Sequence, residues 1–356
     1  MNYSLCGDFL NSNKILYPML EYGIDYINGK RDFLPWAVEI HPTAKCNHRC
    51  IHCSYKERNE NRAELSKEIF QKLIADIISM KIKGVYFSGG GEPCIYPHLA
   101  YGIEKLTDNG IEVALISNGS LIAESGILNL ADKINYIAVS VPSCDSRNFA
   151  KITGKQYVDR ILSVPEEIKA LHGDNSPIVG ARIVVTNLIA EEVPDIFVTL
   201  RKKDFDYALF KIVRDYESRG LGLSDEAVER LRDAIEDLRA EIDPSFTNLD
   251  KIFDYRKPYM PSSACHINQM GMLAVVTPDG DVYPNIAEIG DNSFLIGNIE
   301  ENSFRDLWNS DSHKNVKCYS DDQWSQGKCQ NCRAIRYNEI ITTMIESMPG
   351  EMDPFV

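Results

Sequence analysis

Three cysteines stand close together early in the chain, in Cys46-Asn47-His48-Arg49-Cys50-Ile51-His52-Cys53, a C-x3-C-x2-C run. Three thiolates on one short loop can each take one iron of a cubane cluster, leaving the fourth iron open to a bidentate ligand. His48 and His52 lie in the same run, so zinc is the other chemistry these residue types allow. Structural zinc, however, usually takes four ligands from paired C-x2-C spacings. A second group lies near the other end of the chain: Cys265, Cys318 and the pair Cys329-Gln330-Asn331-Cys332. Four thiols there again allow either a cluster or a structural zinc. Cys6, Cys94 and Cys144 complete the ten cysteines and belong to neither group. Lone cysteines are mostly small buried residues.

The elements that must position these groups are legible from periodicity. Residues 1–35 form a polar N-terminal extension with a short amphipathic stretch from Ile15 to Ile27. From Trp36 onward, short apolar runs alternate with helical patterns: strands at 36–40, 84–87, 111–116, 136–139, 178–185 and 207–213. Helices are expected at 66–80, 97–106, 120–130, 159–171, 193–201 and 224–242. Strand-then-helix units in series predict a parallel sheet with helices outside it. Six units are too few for a closed eightfold barrel, so the expected fold is α/β, a partial (β/α)6 TIM barrel over residues 36–242. In such sheets the reactive groups lie at the C-terminal strand ends. The cysteine loop, the run Ser88-Gly89-Gly90-Gly91-Glu92-Pro93 and the turn Ser117-Asn118-Gly119 all follow strands directly. They are expected to share one mouth. Residues 243–356 lose the alternation and form a small C-terminal domain with a β-hairpin, strands 272–276 and 281–283 around Pro278-Asp279-Gly280.

Composition narrows the class. Lys+Arg 38 against Asp+Glu 52 leaves a net charge of −14. A surface this acidic excludes a general nucleic-acid binder or an anionic-membrane partner. No apolar run approaches the ~20 residues of a membrane span, and the first residues lack the basic and apolar regions of an export signal. A cytoplasmic location is therefore expected. In a reducing compartment, clustered cysteines are metal ligands more often than disulfides.

On these residues the chain resembles the radical SAM superfamily, whose signature is a C-x3-C-x2-C loop after the first barrel strand. Ser88 to Pro93 resembles the family's GGE motif, which binds the amino group of S-adenosylmethionine (SAM). Ser117 and Asn118 after the third strand, and Ser140 after the fourth, resemble its ribose-side contacts. The resemblance covers about residues 36–215. It implies a 4Fe–4S cluster on Cys46, Cys50 and Cys53, whose open iron chelates SAM. One electron, from an external donor such as a flavodoxin or ferredoxin, then cleaves the sulfonium to a 5′-deoxyadenosyl radical. Cofactor contacts are expected from Gly89, Gly90, Gly91, Glu92, Pro93, Ser117, Asn118 and Ser140. His52 is expected beside the adenine and Arg182 at the SAM carboxylate. Lys211 and Arg214 are candidates for binding a polar substrate, and Glu39 for a buried polar contact.

Residues 260–335 resemble the SPASM/twitch domains, which bind auxiliary iron–sulfur clusters. The matching features are Cys265, a hairpin, Ile296-Gly297-Asn298-Ile299, the Leu307-Trp308 helix and the last C-x2-C pair. Asn285 replaces the family's G-x4-C cysteine. No cysteine follows Cys332, so one auxiliary 4Fe–4S cluster is implied. Cys265, Cys329 and Cys332 are its expected ligands, with Cys318 as the fourth, the alternative being an iron site left open toward substrate.

The function expected from this resemblance is hydrogen abstraction from a C–H bond of a small polar, carbohydrate-like molecule, with net oxidation through the auxiliary cluster. The 45 residues before Cys46 are too few for a peptide-recognition domain, which favours a small substrate. The alternatives are a ribosomal-peptide maturase, or an epimerase in which Cys94 or Cys144 returns a hydrogen atom to the substrate radical.

Overall fold

Burial alternates along the strands Gly84–Phe87 and Tyr207–Ile212, while other strands bury three residues in a row. The computed structural model describes residues 13–55, 58–213, 218–238, 246, 252, 264–329, 332 and 334–347. Cys6 and Arg214 lie outside them. Within these bounds the strands are β1 (Ala37–Ile40), β2 (Gly84–Phe87), β3 (Glu112–Ser117), β4 (Tyr136–Ser140), β5 (Ile178–Val185), β6 (Tyr207–Ile212), β7 (Leu273–Val276), β8 (Asp281–Tyr283) and β9 (Gly297–Asn298). The chain separates into two compact units.

The first unit holds residues 40–74 and 85–257. Its strands lie in the order β6-β5-β4-β3-β2, with the end of β1 beyond, where Ser88 N–H donates to the carbonyl of Ile40 at 3.0 Å. The β3–β4, β4–β5 and β5–β6 pairs are parallel, as strand–helix alternation requires. Ile137 and Val139 of β4, Ala181 and Ile183 of β5 and Phe210 and Ile212 of β6 are buried. The intervening residues Tyr136 and Ser140, Arg182 and Val184, Tyr207 and Leu209 are only half-buried. One face is therefore sealed core and the other opens inward. Register sets Ser140 beside Arg182, and Val184 beside Lys211, on that open face. The core is aromatic under β2: the Phe70 ring lies 6.1 Å from Phe87 and 5.0 Å from Tyr96.

The expected elements recur with shifted ends, and two helical segments differ for physical reasons. The predicted helix 159–171 is two helices, Val158–Leu162 and Val164–His172. Pro165 has no N–H to continue the first into the second. The predicted helix 120–130 is instead a turn followed by a 3-10 segment, Ile127–Lys133. A further helix, Ser146–Thr153, starts where Asp145 accepts from the backbone of Arg147 and Asn148 and stops at left-handed Gly154.

The second unit holds residues 1–39, 75–84 and 258–356. Here β1, β7, β8 and β9 follow in order, and the β7–β8 hairpin pairs Val275 with Tyr283. The segment read as an N-terminal extension contributes to this core. Met19, Tyr26 and Phe33 are buried in one cluster with Cys265, Ile267, Met270, Trp324, Ile340 and Ile341. Tyr26 Oη hydrogen-bonds His266 Nδ1 at 2.7 Å, and Trp308 Nε1 donates to the Phe33 carbonyl at 2.8 Å. Among the described residues no helix is long and apolar enough to cross a membrane.

Candidate active site and second cysteine centre

The first cysteine loop is strapped from several sides. At its base Thr43 Oγ1 and Lys45 Nζ both donate to Glu64, at 2.9 and 3.0 Å. Along the loop, Arg49 N–H and Ile51 N–H donate to the carbonyls of Thr153 and Ile152, at the end of the Ser146–Thr153 helix. Arg219 Nη1 then donates to the carbonyls of Ile51 and Cys53, at 3.1 and 2.9 Å. Asn47, between the first two cysteines, accepts from Asn118 Nδ2 and donates to Ser120 Oγ, both at 2.8 Å.

The glycine run lies directly against this loop. Gly91 N–H donates to the Thr43 carbonyl and Glu92 N–H to the Lys45 carbonyl, at 2.8 and 2.9 Å. A Cβ on Gly91 would stand 2.1 Å from the Lys45 oxygen, so only glycine permits this approach. Glu92 is buried, and both its oxygens are used internally. Oε1 accepts from Ser117 Oγ at 2.6 Å and Cys94 N–H at 3.1 Å, and Oε2 accepts from Asn118 N–H at 2.6 Å. The carboxylate thus ties the end of β2 to the end of β3, and burial raises its pKa.

Burial pushes the thiols of Cys46 and Cys50 up to about 11 and about 12, with the charges of Glu92 and Cys53 adding to the first and those of Cys53 and Cys46 to the second. Ligation by a metal removes such a proton. His48 and His52 are both lowered to about 4, chiefly by burial. His48 packs its ring 5.6 Å from Tyr157. His52 Nδ1 and Arg182 Nε are buried without a hydrogen-bond partner. These two atoms, at the cysteine loop and on the open strand face, suit a bound polar ligand carrying an acceptor for the guanidinium.

The structure thus brings Cys46, Cys50, Cys53, Gly89 to Pro93, Ser117 and Asn118 together at the strand ends, with Ser140 and Arg182 side by side on β4 and β5. Glu92, Ser117 and the Asn118 side chain act within the protein, holding the loops. Cys94 is buried under the glycine run, 3.6 Å from Ser117 Oγ. Cys144 is half-buried after β4, and burial and then Glu192 push its thiol up to about 12. Lys211 is exposed on β6, and Glu39 is buried in β1. Sequence reasoning missed Asn47, Ser120, Tyr157 and Arg219. Asn47 sits inside the cysteine run, which was a signal; the others are distant in sequence.

In the second unit Cys265 opens the short His266–Gln269 helix, and its N–H donates to Asp321 Oδ1 at 2.7 Å. Burial raises the Cys265 thiol well above its usual value, and the neighbouring charges are Glu288, Cys332 and Cys329. The Cys329 thiol is pushed up to about 12 by burial, then by Cys332 and Glu288. Asn285 Nδ2 donates to Cys332 Sγ at 3.3 Å. Cys265, Cys329 and Cys332 therefore form one group with Asn285 and Glu288. Cys318 is exposed on the Asp311–Ser325 helix and is not among the charges acting on Cys265 or Cys329. A cubane asks each thiolate to meet a different iron.

The chain contains a domain that matches the radical SAM superfamily. The family described by that name matches residues 40–200, and the SPASM iron–sulfur cluster-binding domain matches residues 265–333. It is similar to the tungsten-containing aldehyde ferredoxin oxidoreductase cofactor-modifying protein of Pyrococcus furiosus, 23% identical over 300 residues, which cover 76% of this chain and 80% of that protein. It is also similar to the PqqA peptide cyclase of Methylobacterium nodulans, 24% identical over 299 residues, 82% of this chain and 76% of the cyclase. Streptococcus suis SuiB bound to its precursor peptide SuiA shares the fold at a TM-score of 0.63, with 16% identity over 85% of this chain and 70% of SuiB. SuiB has also been solved bound to S-adenosylmethionine. The two matched domains imply S-adenosylmethionine and two 4Fe–4S clusters as the cofactors of this enzyme.

Proposed function

We propose that this enzyme takes a hydrogen atom from an unactivated C–H bond of a peptide and that the product is oxidised, the second cluster accepting the electron. The observation that supports a peptide is the extent of the likeness to the PqqA peptide cyclase, which covers 82% of this chain and 76% of the cyclase. SuiB, which shares the fold, is seen with a precursor peptide.

Cys46, Cys50 and Cys53 would hold the first cluster, and Gly89 to Gly91, Ser140, Arg182 and His52 would line the place of SAM. When bound, these cofactors supply a carbon radical able to remove a hydrogen atom. The chain's own residues keep that event in place. Glu92 locks two strand ends, Asn47 and Asn118 fix the cysteine loop, and Arg182 offers a buried guanidinium to a carboxylate. Oxidation is favoured over hydrogen return because the Cys94 thiol faces Ser117 and the Glu92 loop.

A small polar molecule is the second reading, supported by Arg182 and Lys211 on the open strand face. Both readings are tested with the anaerobically reconstituted chain, SAM and a reduced flavodoxin in deuterated water. Synthetic peptides encoded beside the gene are compared with a panel of amino sugars. A peptide that raises 5′-deoxyadenosine release and loses two hydrogens, with no solvent deuterium gained, is the expected result. Turnover of an amino sugar alone would replace the peptide with the small molecule. Deuterium at the reacting carbon, abolished by Cys144→Ala, would replace oxidation with epimerisation.

A further inference from the structure

The second cysteine centre has three grouped thiols, and Asn285 stands directly beside one of them, Cys332. The residues around that position are informative. Asn285 caps the 3-10 turn Ile286–Glu288, its Oδ1 accepting from Ala287 N–H at 2.9 Å. Side chains three residues apart lie on the same side of such a turn. Glu288 accordingly returns to the face of Asn285, with a longer side chain.

One nitrogen, Asn285 Nδ2, lies within reach of both Cys332 Sγ at 3.3 Å and Glu288 Oε1 at 3.4 Å. Asn268 Nδ2 reaches the same Oε1 at 3.5 Å while donating to Ser320 Oγ at 2.9 Å. The other carboxylate oxygen, Glu288 Oε2, is buried with no hydrogen-bond partner, and so is Asn268 Oδ1. A buried carboxylate oxygen without a donor is costly unless a cation or donor occupies the space before it. Carboxylate oxygen is an established protein ligand to metal ions, and like thiolate it carries one negative charge.

We propose that Glu288 is the fourth protein ligand of the auxiliary cluster, completing the set begun by Cys265, Cys329 and Cys332. Asn285 positions both the carboxylate and Cys332. This inference rests on a cluster at the second centre and is independent of which substrate the enzyme uses.

The test uses the full chain carrying Cys46→Ala, Cys50→Ala and Cys53→Ala, so that only the auxiliary cluster forms. After anaerobic reconstitution the parent should hold about four irons. Glu288→Gln should fall to about three and show the electron paramagnetic resonance signal of an oxidised three-iron cluster. Glu288→Cys, which supplies a thiolate from the same turn, should restore the fourth iron with a changed spectrum of the reduced cluster. Cys318→Ala should leave iron and spectrum as in the parent. Full iron and an unaltered spectrum in Glu288→Gln would overturn the proposal. So would loss of the fourth iron in Cys318→Ala, or a parent that binds no cluster.

Discussion

Beside each cysteine centre stands a glutamate with a buried carboxylate oxygen, Glu92 and Glu288, and the two are used in opposite ways. Glu92 receives three hydrogen bonds, at 2.6 Å from Ser117 and Asn118 and at 3.1 Å from Cys94, and both its oxygens are satisfied. Glu288 has two long amide contacts on one oxygen and none on the other. A carboxylate with its lone pairs filled by protein donors is a fastener. One left with a buried, empty oxygen beside three thiols is shaped for something the protein itself does not provide. The same residue type at two similar centres thus separates into a scaffold and a ligand by hydrogen-bond count alone.

The comparison is broken most directly at Glu92. Glu92→Ala strands the Asn118 and Cys94 N–H groups and the Ser117 hydroxyl in the core. It should cost about 3 kcal/mol, read as a lowered denaturation midpoint, together with loss of SAM cleavage. The auxiliary spectrum should survive wherever the chain still folds. Were stability unchanged, Glu92 would not be the fastener described here.

A smaller effect should come from pH through His313, in the second unit but outside the cysteine group. Its ring is buried, Nδ1 lies 2.6 Å from the Trp308 carbonyl, and burial lowers its pKa to about 4. The folded value lies below the unfolded one, so its contribution is complete above about pH 6.5 and is lost as the pH falls toward 4. Roughly 2 kcal/mol of stability should disappear across that window, and His313→Gln should flatten the profile between pH 6.5 and 4.5. A variant with the parent's slope would assign the loss to other groups, His48 and His52 first.

Asn285→Cys sharpens the contrast from the other side. It places a thiol beside Cys332, and the auxiliary cluster should keep its iron while its spectrum shifts toward that of an all-thiolate site. An unchanged spectrum would mean that the new thiol is held away from the cluster. The smallest effect belongs to Cys318→Ala: exposed on its helix, it should alter stability by less than about 0.5 kcal/mol in a thermal melt. A larger loss would show that the thiol has a buried role.

Much of this protein was legible in the chain, for identifiable reasons. The C-x3-C-x2-C run and the glycine run act through backbone and through residues a few positions apart, so spacing alone carries them. Strand–helix alternation likewise reports a parallel sheet, because burial on strand and helix faces imposes its own period. Helix ends were less legible: Pro165 divides one predicted helix, and the Asp145 cap starts another that periodicity did not reveal.

What only the tertiary structure decided depends on residues far apart in sequence. The sequence marks Glu92 as a cofactor contact, and only the structure shows that Ser117 and Asn118 donate to its carboxylate. The early segment with Tyr26 and Phe33 read as an extension, yet it shares a core with Cys265 and Trp324. Cys318 was the expected fourth ligand because it was the spare thiol nearest in sequence. Its helix leaves it exposed, while the turn after Asn285 brings Glu288 to the other three. Sequence determines which side chains are available at each centre, since thiolate chemistry is a property of residue type. Which of them meet is set by packing and by the hydrogen bonds that buried polar atoms must find, and those partners are named only in three dimensions.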